Sequence, residues 1–208
     1  YLHGEQITYT LGDASNAYPG TGLERYRRHL IFLRPNTIVI YDELEAGEPV
    51  QWSWLLHSPR RIENTGPGQL YGSNARAEGR VDLLGSSAIQ VSIDTLFDPP
   101  VENWRGETNE EGELKVYSNQ WHVKGNSVQP VTKMRYLAVV QVNPREGNTP
   151  QSAFAPVEQV EANRFQVGRW QIEAELDAGK AAALKVINAD RTRAVSYNYP
   201  ALHLDGRT

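Results

Sequence analysis

Two strand-like runs, 26–33 and 37–43, are separated by only three residues and constrain the fold more than any other feature of the chain. Both runs are rich in β-branched and aromatic residues, and the Pro and Asn between them favour a turn. The sequence therefore predicts an antiparallel hairpin here, with a third consecutive strand over 50–57.

The loop length also predicts the register of that hairpin. If three residues form the loop, Leu33 pairs with Thr37, and the remaining pairs follow by counting back. Side chains alternate between the two faces of a strand, so three cross-strand pairs share one face: Phe32 with Ile38, Leu30 with Ile40, and Arg28 with Asp42. The first two pairs predict apolar packing, and the third predicts an ion pair across the hairpin.

Short runs with strand character continue to the end of the chain, each bounded by Gly, Pro, Asn or Asp. No window shows the period of an amphipathic helix, because Gly179 interrupts the one stretch of helix-forming composition. The prediction is an all-β fold: a large, multi-stranded antiparallel β-sandwich with little helix, formed by residues 1–208 as a single domain. The further predicted strands are 7–11, 88–93, 115–123, 135–142, 157–160, 164–167, 170–176, 182–187 and 194–197.

Composition excludes several kinds of function. The chain has 208 residues, a net charge of -4 and a pI of about 5.8, which disfavours nucleic acid as a partner. The absence of cysteine excludes disulfides, a thiol nucleophile and zinc–thiolate sites. No apolar run approaches the ~18 residues that span a bilayer, so no membrane partner is expected. Because the chain starts at Tyr1 without a signal peptide, we expect it to be a piece of a longer protein.

Five motifs in the first third of the chain are specific enough to suggest a family. They are Leu-Gly-Asp-Ala-Ser-Asn-Ala-Tyr within 9–18, Arg-Tyr-Arg-Arg-His at 25–29, Phe-Leu-Arg-Pro at 32–35, Val-Ile-Tyr-Asp-Glu at 39–43 and Trp-Leu-Leu-His-Ser at 54–58. In this order they resemble the C-terminal β-sandwich of heparinase II/III-like polysaccharide lyases. The stretches 94–100 and 135–141 resemble that sandwich more loosely.

The resemblance implies a function for the parent protein. Such lyases combine a helical toroid with a β-sandwich and cleave uronic-acid polysaccharides by β-elimination. A base removes the C5 proton, and a Tyr or His protonates the leaving oxygen. The family's His-x-His and His-Asn motifs are expected before Tyr1, and this sequence contains neither. The resemblance therefore implies a C-terminal module without catalytic residues.

Partners and location follow from the same resemblance. It implies an acidic polysaccharide, bound through the parent protein, and the N-terminal helical domain as partners, with a periplasmic or secreted bacterial location. It implies no cofactor in this fragment, although the parent lyase can carry a structural metal. The alternatives are an autonomous carbohydrate-binding module and a structural sandwich without lyase activity.

Two residues are predicted to contact substrate, Trp104 and His3. Trp104 lies in an acidic, turn-rich loop and is the best candidate for an exposed aromatic that stacks on a sugar. His3 lies near the start of the chain, where the resemblance places it beside the catalytic segments; the alternative is a terminus without function. In contrast, Trp52 and Trp54 at strand spacing are expected in the core.

The other polar candidates are expected to be structural. None of the five histidines has metal-ligand spacing, and Asp13 with His57 supplies two ligand types without a third. Tyr9 and Tyr18 resemble proton donors only in residue type. A group of arginines suggests either an anionic-glycan patch or ordinary ion pairs: Arg25, Arg27, Arg28, Arg34, Arg60 and Arg61.

Overall fold

A computed structural model describes residues 2–95, 106–114, 120–147 and 149–199, and these residues form seventeen β-strands and no helix. There is accordingly no helix in the described ranges with the length and apolarity that crossing a membrane requires. The strands are β1 Leu2–His3, β2 Ile7–Asp13, β3 Leu23–Leu33, β4 Thr37–Val50, β5 Ser53–Ser58, β6 Ile62–Gly66, β7 Gln69–Ser73, β8 Ala77–Gly85, β9 Ile89–Asp94, β10 Trp121–Ser127, β11 Val131–Glu146, β12 Thr149–Pro150, β13 Val157–Glu161, β14 Arg164–Val167, β15 Trp170–Ala174, β16 Leu184–Asn188 and β17 Ala194–Tyr197.

The strands form three antiparallel sheets, which confirms the predicted all-β sandwich. The large sheet has nine strands in the order β1-β2-β3-β4-β11-β8-β7-β6, with β12 paired to β11. A five-stranded sheet runs β13-β14-β15-β16-β17, and a three-stranded sheet runs β5-β10-β9.

The predicted hairpin register is confirmed pair by pair. Leu33 lies opposite Thr37, and the pairs that were expected on one face lie opposite each other: Phe32–Ile38, Leu30–Ile40 and Arg28–Asp42. The loop therefore has the three residues that the prediction required.

The two faces of the large sheet are buried against different partners. Ile31, Val39 and Leu137 point to one face and pack against the five-stranded sheet, for example against Phe165 and Ile172. Residues of the opposite parity, among them Ile40 and Tyr136, pack toward the three-stranded sheet with Trp54 and Val123. The large sheet is thus the middle of three layers, and this explains the near-continuous apolar runs in β4 and β11.

Five strands were not predicted from the sequence, namely the two-residue strands β1 and β12 and the strands β6, β7 and β8, and one sheet assignment also differs. Of the predicted strand 115–123, residues 115–119 lie outside the described residues, and β10 begins at Trp121. The segment that holds β6, β7 and β8 was not predicted to form strands, because it is rich in Gly and charge. Its Asp82 is nevertheless buried, and Arg80 at 2.7 Å offsets part of the cost of burying its charge. The third strand of the opening segment also pairs with β10 and not with β4, and so belongs to another sheet.

The aromatic core predictions are confirmed. Trp54 is 4% exposed, and Trp52 packs against the same cluster while its Nε1 donates to the carbonyl of Val131 at 2.9 Å. Residues 177–180 form a turn around Gly179, closed by a hydrogen bond from the backbone N of Lys180 to the carbonyl of Asp177, and β16 follows from Leu184.

Candidate functional site

The two residues predicted to contact substrate remain predictions. His3 is exposed on the edge strand β1, where its Nδ1 lies 3.0 Å from the Oγ1 of Thr8. Trp104 lies outside the described residues.

The arginine group consists mainly of ion pairs. Arg25 contacts Glu45 at 2.9 Å, and Arg27 contacts Asp13 at 2.8 Å. Arg28 binds Asp42 through two parallel hydrogen bonds, from Nε at 2.7 Å and from Nη2 at 2.8 Å. These contacts favour the structural interpretation of the group over a free anionic-glycan patch.

Asp13 is part of a turn and not of a metal site. Its Oδ1 accepts hydrogen bonds from the backbone N and the Oγ of Ser15, and its Oδ2 binds Arg27. The hydrogen bonds from Ser15 and Arg27 hold the pKa of Asp13 well below its usual range. Within the described ranges, no three His, Cys, Asp or Glu side chains are grouped as a metal ion would require.

A buried chain of polar side chains, Tyr9–His29–Glu43, was missed by the sequence analysis. Nε2 of His29 lies 2.7 Å from Oε1 of Glu43, and Nδ1 lies 3.0 Å from the hydroxyl of Tyr9. His29 and Glu43 are 0% and 2% exposed, whereas Tyr9 is only partly buried. The Arg135 guanidinium, itself buried, adds a positive charge beside Glu43.

The chemistry of this chain follows from its hydrogen bonds. Because the Glu43 carboxylate only accepts, Nε2 of His29 carries a proton, and in the neutral imidazole Nδ1 then accepts from the Tyr9 hydroxyl. Burial, with the charges of Tyr197 and Glu43, raises the pKa of Tyr9 and keeps its hydroxyl protonated. The arrangement satisfies buried polar groups, and its three residues line none of the three clefts on the described part of the surface, at β3–β4, β6–β8 and β13–β16.

The predicted register already contained the signal for this chain. Because Arg28 and Asp42 share one face, the residues of opposite parity, His29 and Glu43, must share the other. In that register Glu43 lies opposite Arg27 and His29 lies opposite Tyr41, so both ionisable residues share a face with Ile31, Leu33 and Val39, where a buried polar group needs a partner. The partner Tyr9 was not predictable, since it required the pairing of β2 with β3.

A cleft of about 440 Å³ lies on the opposite face of the hairpin, between the large sheet and the connection from β4 to β5. Its lining is mostly apolar, and its mouth carries Tyr18, which is 55% exposed, and Leu55. Aromatic side chains from three separate segments face it: Tyr26, Trp52 and Tyr136.

The Arg28–Asp42 pair supplies the ionised groups of this cleft. Asp42 is 2% exposed and Arg28 is 36% exposed, so the guanidinium is the member that a ligand can reach. Arg28 donates from Nε and Nη2 to the Asp42 carboxylate. Its guanidinium also lies 5.9 Å from the centre of the Tyr26 ring. An apolar, aromatic cleft with one oriented polar group is typical of a small-ligand site.

Comparison with known proteins identifies the fold. No family model and no curated protein matches the sequence. Among solved structures, a heparinase III matches with a TM-score of 0.58 and 11% identity, over 93% of this chain and 26% of that chain. The same protein with methylated lysines matches over the same shares, with a TM-score of 0.52 and 12% identity. The heparan sulfate lyase HepC from Pedobacter heparinus matches with a TM-score of 0.51 and 10% identity, over 95% of this chain and 27% of that chain.

These likenesses agree with the family resemblance of the opening motifs. At 10–12% identity they show a common fold, and the chain spans about a quarter of the length of the structures it matches. The chain therefore has the fold of a β-sandwich portion of heparinase III-type structures.

Proposed function

We propose that this chain is the C-terminal β-sandwich module of a polysaccharide lyase that acts by β-elimination on uronic-acid glycans, and that the module itself is not catalytic. The observation that carries the proposal is the fold match to heparinase III over 93% of this chain and 26% of that one. The module would support a helical catalytic domain and form one wall of the substrate cleft.

Two features support a non-catalytic role. The sequence lacks the His-x-His and His-Asn motifs that the family resemblance places at the catalytic centre. The buried Tyr9–His29–Glu43 chain, which has the side-chain types for acid–base chemistry, instead satisfies its own hydrogen bonds inside the sandwich. The proposed partners are an acidic polysaccharide and the helical domain, and the proposed location is periplasmic or secreted.

The experiment is a lyase assay on the chain alone. It is incubated with heparin, heparan sulfate, alginate and hyaluronate, and ultraviolet absorbance reports the unsaturated product of β-elimination. We expect no turnover, and robust turnover by this chain would refute the non-catalytic role. In the coding sequence before Tyr1 we expect a helical region with both motifs, and a different upstream region would contradict the lyase assignment.

An autonomous carbohydrate-binding module is the second candidate. The cleft beside Arg28 favours it, since aromatic rings and one oriented guanidinium are present without any neighbouring domain. Isothermal titration of the isolated chain against a glycan panel separates the two roles. Tight binding favours the autonomous module, and weak or absent binding favours support of the helical domain.

A further inference from the structure

The cleft beside Arg28 has the walls of a sugar subsite. Trp52 and Tyr26 present aromatic surface inside it, and Tyr18 stands at the mouth. Aromatic rings are amphipathic, and their faces suit the C–H faces of a pyranose ring. At about 440 Å³ the space lies within the range of small-ligand pockets.

We propose that this cleft binds one sugar ring that carries a carboxylate or a sulfate group, with the Arg28 guanidinium as its anion-recognising group. The inference rests on the proposed function and deepens it by naming the sugar class and the residues of one subsite. It assigns binding and no chemical step to the cleft.

Asp42 makes Arg28 suitable for this role. The two hydrogen bonds from Nε and Nη2 fix the plane of the guanidinium and leave the Nη1 edge for another acceptor. Guanidinium groups donate their strongest hydrogen bonds to carboxylates and to phosphate-like oxyanions. A guanidinium that is already fixed loses little side-chain entropy when it binds a ligand.

The charge balance of the cleft predicts how the ligand binds. Arg28 and Asp42 together have no net charge, so long-range attraction of a polyanion contributes little. Affinity must then come from ring contact and from hydrogen bonds made in a partly desolvated site. We therefore expect a shallow dependence on salt, unlike the steep dependence of adsorption through a basic patch.

The test uses four tetrasaccharide probes on the whole chain. Hyaluronate carries carboxylate without sulfate, keratan sulfate carries sulfate without uronate, heparin carries both, and maltotetraose is neutral. Isothermal titration gives affinity, and the ¹⁵N shift of Arg28 Nε reports contact at the site. Binding of hyaluronate without keratan sulfate assigns the carboxylate, and the reverse assigns the sulfate.

Two variants locate the binding. Arg28→Lys keeps the charge but loses the fixed planar group, and we expect about tenfold or greater weakening of the anionic probes. Tyr18→Ala removes an exposed ring with little effect on folding, and we expect about threefold to tenfold weakening. The matched controls, Arg61→Lys and Val160→Ala, change exposed residues that do not line the cleft and should leave affinity unchanged.

Three outcomes would overturn the inference. They are maltotetraose binding as tightly as the anionic probes, no saturable binding of any anionic probe, and wild-type affinity in both cleft variants. None of these depends on the lyase assay. Turnover by the isolated chain would refute the proposed non-catalytic role while leaving the subsite result to stand on the binding data.

Discussion

Breaking the Arg28–Asp42 pair should destabilise the protein unequally, according to which partner is removed. Asp42 is 2% exposed and Arg28 is 36% exposed, with two short hydrogen bonds between them. Arg28→Met keeps the aliphatic stem but leaves a buried carboxylate without its counter-ion. Asp42→Ala leaves a guanidinium that still reaches water.

The magnitudes follow from these exposures. An uncompensated buried charge costs about 3–5 kcal/mol, which is our expectation for Arg28→Met. Loss of charge-assisted hydrogen bonds from a partly exposed group costs about 1.5–3 kcal/mol, which is our expectation for Asp42→Ala. At about 2–4 °C per kcal/mol for a chain of this size, the two midpoints should fall by about 6–20 °C and about 3–12 °C.

Protonation of Asp42 limits the loss of stability that we expect for Arg28→Met. Burial raises the pKa of Asp42, and the hydrogen bonds and charge of Arg28 oppose that rise. Without Arg28 the carboxyl group can take up a proton in place of remaining charged and buried. The cost of Arg28→Met should therefore be smaller at pH 4 than at pH 7.

Urea titrations followed by tryptophan fluorescence and far-UV circular dichroism provide the measurement, and coincident transitions justify a two-state analysis. The double variant Arg28→Met/Asp42→Ala closes a thermodynamic cycle, in which we expect a coupling of about 2–3 kcal/mol. As control, Arg61→Met breaks an exposed 3.6 Å contact with Glu63 and should change stability by less than about 0.5 kcal/mol. Equal costs for Asp42→Ala and Arg28→Met, or no difference between either variant and the control, would contradict the unequal destabilisation.

Three further predictions concern other parts of the sandwich. Gly68 has a φ of 68°, and a Cβ added there would overlap a carbonyl oxygen of β8. Gly68→Ala should therefore lower the free energy of unfolding by about 1–3 kcal/mol. Gly12→Ala should not lower it, because an added Cβ at Gly12 meets open space. Burial acts to raise the pKa of Glu43, but the hydrogen bond and charge of His29 hold that pKa below its usual range. The ionised Glu43 therefore stabilises the fold above about pH 4.3, and this stability is lost as the pH falls through the lower native pKa. Glu43→Gln should accordingly flatten the acid limb of a curve of melting midpoint against pH between pH 7 and pH 3. The Tyr136 hydroxyl lies 2.9 Å from the carbonyl oxygen of Gly125 and 3.0 Å from that of Trp52, and its single proton is shared between these two acceptors. Tyr136→Phe removes this donor and should cost about 1–2 kcal/mol in the same urea titration.

The sequence predicted the hairpin of β3 and β4 to the residue because local signals were sufficient there. A short loop set the register, and counting back from it gave every pair from Leu33–Thr37 to Arg28–Asp42. The strands β6 to β8 were not predicted, because local signals were insufficient there. The buried Asp82 pairs within β8 with Arg80, but the buried Glu78 depends on Arg145 of β11, which is distant in sequence, and no local pattern shows such a pairing.

The candidate site was predictable only in part. Arg28 and Asp42 were predicted as a pair from the hairpin register, and the same register placed His29 and Glu43 on the other face. The cleft itself was not predictable, because it joins residues from β3, β4, β5, β11 and two connections that no local rule brings together. The sequence correctly predicted that Trp52 packs in the core, but it did not show that the same ring also lines a cleft.

One substitution separates the structural role of the ion pair from its proposed role in binding. Asp42→Asn keeps the shape of a side chain that is only 2% exposed, with one oxygen that can still accept from Arg28 and an NH2 group in place of the other. It leaves Arg28 with an unbalanced positive charge, which changes a neutral cleft into a cationic one. If the cleft binds anionic sugars, the affinity for a hyaluronate tetrasaccharide should then depend more steeply on salt than it does in the wild type, whatever happens to its absolute value. Titration at about 50 and 200 mM salt measures that change, with maltotetraose as the uncharged control. An unchanged salt dependence in a folded Asp42→Asn variant would mean that the anion does not lie beside Arg28.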